Sequence, residues 1–335
     1  MKHRLGALLA SPTVRVAVLI VLLALGISAV AGQWHDVRPA LERLPVHDVA
    51  LSGLAGLAAI GCAVPAWRSL LADVGSRLPL LPAARVFLLG QLGKFVPGSV
   101  WVVVAQTELG RGYGVPRRRS ATAGLLAMGV SLATALVTAA AFLPLGSAPL
   151  RHRYWWLTLV AVAALALLAP PVLTPVVERG LRLLRREPLE RPLSWAGVGR
   201  AGGWSIAGWL LYGVHVWLLA RGLGGTGALL LARSTGAFAV AWSLGFLVVV
   251  APAGAGIREV ALGVALAAAL PGGAGAATAL AVISRLLLTA GDLVGAGLAG
   301  LLGRRLRPPL AAAPDPVPLG PAEPVEPVEP VASRR

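Results

Sequence analysis

Apolar blocks of roughly 17 to 26 residues recur along the whole chain, each about the length a helix needs to cross a hydrocarbon layer roughly 30 Å thick. That recurrence leaves few folds open. In lipid, every backbone N–H and C=O must be satisfied within the structure, so helices and closed barrels are the spanning solutions, and apolar runs this long and continuous select helices. Of 335 residues, 57% are hydrophobic and 13% charged, with a mean hydropathy of +0.78. One water-soluble core has no use for that much apolar surface. The fold class expected is all-α: a polytopic integral membrane bundle.

The blocks fall at Val14 to Ala31, Val49 to Ala66, an interrupted region from Ala84 to about Gly110, Ser120 to Leu145, Tyr154 to Val176, Ala201 to Leu219, a second interrupted region from Ala232 to Leu270, and Ala274 to Leu302. Two helices, an interrupted region and a helix thus occur twice, which suggests a 4+4 internal repeat with halves 14–145 and 154–302. The membrane domain would cover 1–307, and the Pro-rich stretch 308–335, ending "GPAEPVEPVEPVASRR", is expected to be a disordered cytoplasmic tail. The basic start and Ala29-Val30-Ala31 imitate a secretory signal. The segment is read as a retained first helix, because the repeat needs it.

Formal net charge is +16. In a soluble chain this would suggest nucleic acid, but the arginines lie between apolar blocks, so they read as topology signals and contacts with anionic lipid. Lys2, Arg4 and Arg15 place the start in the cytoplasm, and both Arg68 with Arg77 and the cluster Arg111, Arg117, Arg118 and Arg119 fall inside as well. The first interrupted region therefore begins and ends on one side, which a re-entrant hairpin achieves and a single broken helix does not. Continuing the count puts the basic loop Glu178 to Arg200 and the chain's end inside; only the short Arg151/Arg153 loop disagrees. The expectation is about six crossings and two re-entrant or broken-helix hairpins, as inverted halves in a bacterial-type inner membrane with both termini cytoplasmic.

The hairpins contain what lipid disfavours. "GQLGKFVPGSVW", Gly90 to Trp101, carries a lysine and a Pro-Gly break; "VVVAPAGAGIREVALG", Val248 to Gly263, carries a second break followed by Arg258 and Glu259. Irregular backbone and charge at membrane depth need protein or a wet cavity around them. Pro97, Gly98, Trp101, Pro252, Gly254 and Gly256 are therefore the candidate cavity-shaping residues. Lys94, Arg258, Glu259, Arg285 and Asp292 are the candidate substrate-binding ones. Arg285 and Asp292 are seven apart, two helical turns, and share a face. Each also has a structural reading: Lys94 snorkelling to headgroups, Glu259 pairing with Arg285, Asp292 pairing with a neighbouring backbone or arginine, Trp101 anchoring at an interface.

Chemistry of other kinds finds little support. Cys62 is the single cysteine, the five histidines are scattered toward loops and ends, and no His/Cys/carboxylate cluster has metal-ligand spacing. Neither a cofactor nor catalysis is expected.

The stretches "GQLGKFVPGSVW", "APAGAGIREVAL" and "ISRLLLTAGDLVGAGLAG" together resemble the membrane domain of the lysylphosphatidylglycerol synthase family, also described as flippase-like. The most specific parts are K-x-x-P-G-x-x-W and G-x-G-[IV]-R-E, within a resemblance running from about Val14 to Leu302. It supports Lys94, Pro97, Gly98, Trp101, Gly254, Gly256, Arg258, Glu259, Arg285 and Asp292. Members with a soluble synthase domain attach an amino acid to phosphatidylglycerol and move the product across the bilayer. The tail here leaves no room for that domain, so the resemblance implies a standalone member and the translocation half alone. Standalone members include chains tied to hopanoid and polyprenyl-linked pathways. The function expected is translocation of a polar-headgroup lipid between leaflets. The alternatives are a non-transporting scaffold that binds anionic lipid or a partner enzyme, and a lipid-modifying transferase. Partners would be membrane lipids and not nucleic acid; oligomeric state stays open.

Overall fold

The computed structural model describes residues 38–39, 42–96, 101–146, 155–183, 188–248 and 254–304. The expected first helix at Val14 to Ala31, the breaks at Pro97-Gly98 and Pro252, the Arg151/Arg153 loop and the tail from Pro308 lie outside the described residues. Among the described residues the chain forms ten α-helices and no strand: α1 Val46–Asp73, α2 Leu80–Gln91, α3 Trp101–Arg111, α4 Arg117–Phe142, α5 Trp156–Leu168, α6 Pro170–Leu183, α7 Trp195–Gly222, α8 Leu230–Leu247, α9 Ile257–Leu266 and α10 Gly273–Arg304. By length and composition α1, α4, α7, α8 and α10 are each sufficient to cross a membrane.

Two expectations change in detail. The segment Tyr154 to Val176 is not one straight helix, because α5 stops at Leu168 and α6 departs at 76°. Ala169 has ψ 125°, the extended backbone that a following proline imposes, and Pro170 and Pro171 supply no N–H to continue the ladder. The second interrupted region is also lopsided. Its first limb, α8, has 18 residues, and its second, α9, has 10, so only one limb is a half-helix. In the first region both limbs are short: α2 with 12 residues and α3 with 11 rise about 16 to 18 Å each, half a bilayer core.

The helices α1 and α7 form the central antiparallel pair. Asp48 at the start of α1 pairs with Arg221 in the last turn of α7, while Asp73 at the end of α1 accepts 2.5 Å and 2.8 Å hydrogen bonds from the side chain and N–H of Ser194, the N-cap of α7. Each of these helices also touches the closing helix of the other half, α1 with α10 and α7 with α4. The closing helices in turn pack across: α4 lies on α8, and α10 lies on α2. The core correspondingly has two clusters. One surrounds Trp67, Leu70, Leu71, Val86 and Val130, the other Trp209, Phe238, Leu266 and Leu280. With α1 contributing to both, the interrupted regions pack on one shared framework.

Segments that positive-charge counting assigns to one side meet on one face. Arg119 donates to the carbonyl of Gly75 at 2.8 Å and to Glu190 at 2.5 Å, and Arg191 reaches the carbonyl of Ala72 at 2.6 Å. The turn after α1, the start of α4 and the loop before α7 are therefore neighbours. The first interrupted region leaves this face and returns to it as a hairpin, with α2 packed on α3.

Candidate functional site

Each hairpin is closed by glycine. At Gly93 a Cβ would lie 2.7 Å from the carbonyl carbon of Trp101, so hydrogen alone lets the two limbs of the first hairpin approach. In the second, Gly254 has φ +70° and a Cβ there would sit 2.9 Å from the Cα of Gly245 on α8. Gly256, φ +84°, begins α9, and its N–H donates to Glu259 Oε2 at 2.6 Å. Among the residues expected to shape the cavity, Gly254 lines it, Gly256 sets the entry of α9, and Trp101 supplies the backbone that Gly93 packs on.

The five charges singled out in the sequence converge. Lys94 Nζ lies 2.6 Å from Asp292 Oδ2, and Arg285 Nη1 lies 2.5 Å from Glu259 Oε1. Both pairs attach a hairpin to α10, where positions 285 and 292 fall either side of the helix's middle. Glu259 has one oxygen on Arg285 and the other on its own helix N-terminus. Lys94, Arg258, Arg285 and Asp292 all line one small pocket of about 50 Å³. Two carboxylates thus answer two cations, and the third cation differs. Among the described residues no carboxylate lies within ion-pair distance of Arg258; its guanidinium stands 4.6 Å over the ring of Phe238.

Beside this pocket lies a cavity of about 240 Å³, lined by Gln91 and Lys94 from the first hairpin and by Gly254 and Arg258 from the second. One wall is aromatic: Trp209 and Trp242 meet edge-on at 4.9 Å, and Trp242 stacks on Phe246 at 5.0 Å. Trp67 of α1 and Gln106 of α3 also belong to the lining. Trp67 is fully buried and Gln106 is 1% exposed, yet among the described residues Trp67 Nε1 and Gln106 Oε1 have no hydrogen-bond partner.

Sequence reasoning missed these aromatic and amide positions, because in an apolar chain a Trp or a lone Gln carries no distinguishing spacing. It also misplaced one histidine. His215 is neither at a loop nor at an end: it is buried in α7, with Nδ1 2.7 Å from Ser52 Oγ of α1 and Nε2 2.8 Å from Ser284 Oγ of α10. A satisfied polar cluster of this kind ties three helices together where lipid offers no hydrophobic drive between them.

The arrangement offers a concave, mainly apolar chamber lined from both hairpins, with Arg258 on its lining. Residues 12–294 match the family model described as Lysylphosphatidylglycerol synthase TM region. No curated protein matches the chain.

Proposed function

The chain belongs to the lysylphosphatidylglycerol synthase transmembrane-region family, and from that membership and the charge left over at Arg258 we propose that it moves a polar-headgroup lipid between leaflets. It is a membrane protein of that family; the transport step is the proposal. A half-buried guanidinium with no carboxylate within ion-pair distance among the described residues is costly and presents a planar donor fork that matches a phosphate. A lipid phosphate entering the cavity would supply the missing anion, while the pairs Lys94–Asp292 and Glu259–Arg285 hold the hairpins and remain charge-balanced. The aromatic wall would take the apolar part of the headgroup region and exclude water from the charge.

Two hairpins lining one cavity support an alternating exposure of it, one hairpin moving against the other half. The exchange of partners, α4 on α8 and α10 on α2, supports reading 14–145 and 154–302 as corresponding halves. In this reading the protein sits in a bacterial-type inner membrane with its termini cytoplasmic, and performs no covalent step.

The observation that carries the proposal is Arg258. The test is leaflet exchange of headgroup-labelled phosphatidylglycerol and its lysyl form in liposomes holding the folded wild type or Arg258→Gln. Exchange by the wild type that is lost in the variant is expected. Lipid binding at Arg258 without exchange in either protein would replace translocation with a lipid-binding scaffold.

A further inference from the structure

The bend at Ala169 sets the level of α6. α5 runs beside α4, a helix long enough to cross a membrane, yet its 13 residues rise only about 20 Å. α6 departs from it at 76°, so its own length of about 21 Å adds only about 5 Å along that direction. Starting from the exposed Trp155, the two helices thus reach about 25 Å, close to the far boundary of a hydrocarbon layer roughly 30 Å thick, and α6 runs nearly in the plane of that boundary. A second marker gives the same level. The N–H of Leu193 donates to Thr174 Oγ1 of α6 at 3.2 Å, and two residues further on stands Trp195, 67% exposed and of the type that favours a membrane interface.

Three strips run along α6. Leu173 is buried and Val177 packs beside it on the cluster around Trp67, Leu70 and Leu71, four residues apart on the side turned to the protein. Val172, Val176 and Leu183, at i, i+4 and i+11, form a second apolar strip, with exposures of 44%, 44% and 86%. Arg179 and Arg182, both exposed, form a basic strip along its edge. Water disfavours the second strip and hydrocarbon the third. The boundary between acyl chains and phosphates accepts both. The apolar strip also follows in the chain on Leu159, Val162 and Leu165, the exposed side chains that α5 turns to lipid.

We propose that α6 is an in-plane docking helix for the leaflet on the loop face, with Val172, Val176 and Leu183 seated among acyl chains and Arg179 and Arg182 on lipid phosphates. Its partner is an anionic membrane surface. The lipids concerned are those of the bulk leaflet, so the inference stands apart from the transport reading and from the cavity at Arg258.

The test places a bimane label on Val172→Cys, Val176→Cys or Glu178→Cys in a Cys62→Ser background of the full chain, reconstituted in vesicles of phosphatidylcholine with roughly a third phosphatidylglycerol. Quenching is read with chain-brominated phosphatidylcholine, chain-brominated phosphatidylglycerol and aqueous iodide. Labels at 172 and 176 are expected to be quenched by brominated chains and shielded from iodide, and the label at 178 to show the reverse. Brominated phosphatidylglycerol should quench position 176 severalfold more than brominated phosphatidylcholine, since each arginine near an anionic surface enriches it about fivefold. Arg179→Gln with Arg182→Gln should bring that ratio to near one, as should high salt, while the melting temperature stays unchanged.

Iodide access at 172 and 176 without quenching by brominated lipid would put the strip in water and overturn the docking. Equal quenching of all three positions by brominated chains would immerse α6 as part of a broken span and overturn it as well. Shielding of 176 from both quenchers, with disulfide crosslinking of Val176→Cys between copies, would replace the leaflet with a second copy of the chain. Equal quenching by the two brominated lipids in the wild type would overturn the anionic partner.

Discussion

Lys94 and Asp292 meet at 2.6 Å, so the short helical turn at the tip of the first hairpin is fastened by charge to the middle of the last helix. The carboxylate is 6% exposed and the ammonium 33%. The pair therefore has a buried half and a half-solvated one, and the two do not respond equally to mutation.

Removing the lysine should hurt more than its own exposure suggests, because Asp292 would then remain buried and unanswered. Lys94→Gln is expected to cost about 1 to 3 kcal/mol, discounted for the lysine's solvent contact, and Lys94→Gln with Asp292→Asn should recover part of it. Thermal melting of the single and double variants in detergent gives the coupling. Strictly additive losses would show that the two charges do not act as a pair.

Length, hydropathy and charge made the bundle legible, because each is written in single residues: apolar blocks set α1, α4, α7 and α10, and arginines at Arg68, Arg77 and Arg117 to Arg119 marked loops of one face. The convergence of Lys94, Arg258, Glu259, Arg285 and Asp292 was also readable, since charge inside an apolar run is rare enough to stand out. Of the partners, Glu259 with Arg285 was readable too, and the pair is present at 2.5 Å; the others were not. That Lys94 answers Asp292 while Arg258 faces Phe238 depends on helix packing over separations of 198 and 20 residues. The bend before Pro170 shows a local signal outweighed by hydropathy: Pro170 and Pro171 are consecutive, but the apolar run around them suggests one span. Trp67 and Gln106 had no sequence signal at all, because what distinguishes them is the absence of a partner.

The close approach inside the first hairpin sets up a contrast between two glycines. Gly93→Ala places a Cβ 2.7 Å from backbone of Trp101 and must push the limbs apart, whereas Gly129→Ala, on α4, meets nothing within 4 Å. The first should lower the melting temperature and weaken lipid exchange; the second should leave exchange unchanged and raise the melting temperature slightly, as alanine favours a helix interior over glycine by about 1 kcal/mol. Equal behaviour of the two variants would mean that the limbs tolerate separation.

Glu190 gives a pH signature on the loop face. The hydrogen bond from Arg119 holds its carboxylate below the ordinary range. A group with a depressed folded pKa contributes stability above its unfolded pKa and loses it as pH falls through the folded value. The melting temperature of the wild type should therefore exceed that of Glu190→Gln by a small margin at about pH 7, with the margin closing toward about pH 3. The site is exposed, so added salt should narrow the difference as well. A margin that persists unchanged at acid pH would trace it to shape and not to charge.

The last expectation separates charge from geometry at Arg258. If the cavity needed only a positive charge, Arg258→Lys would preserve exchange of an anionic lipid. The guanidinium, however, lies 4.6 Å over Phe238, and a planar fork of N–H donors meets a phosphate at two points, which an ammonium on a flexible stem does not reproduce. Arg258→Lys is therefore expected to slow exchange of labelled phosphatidylglycerol by about tenfold while leaving the melting temperature near that of the wild type. Phe238→Leu, which keeps the arginine but removes its platform, should fall between the two. Undiminished exchange in Arg258→Lys would reduce the residue to a point charge and transfer the burden of orientation to the aromatic wall of Trp209 and Trp242.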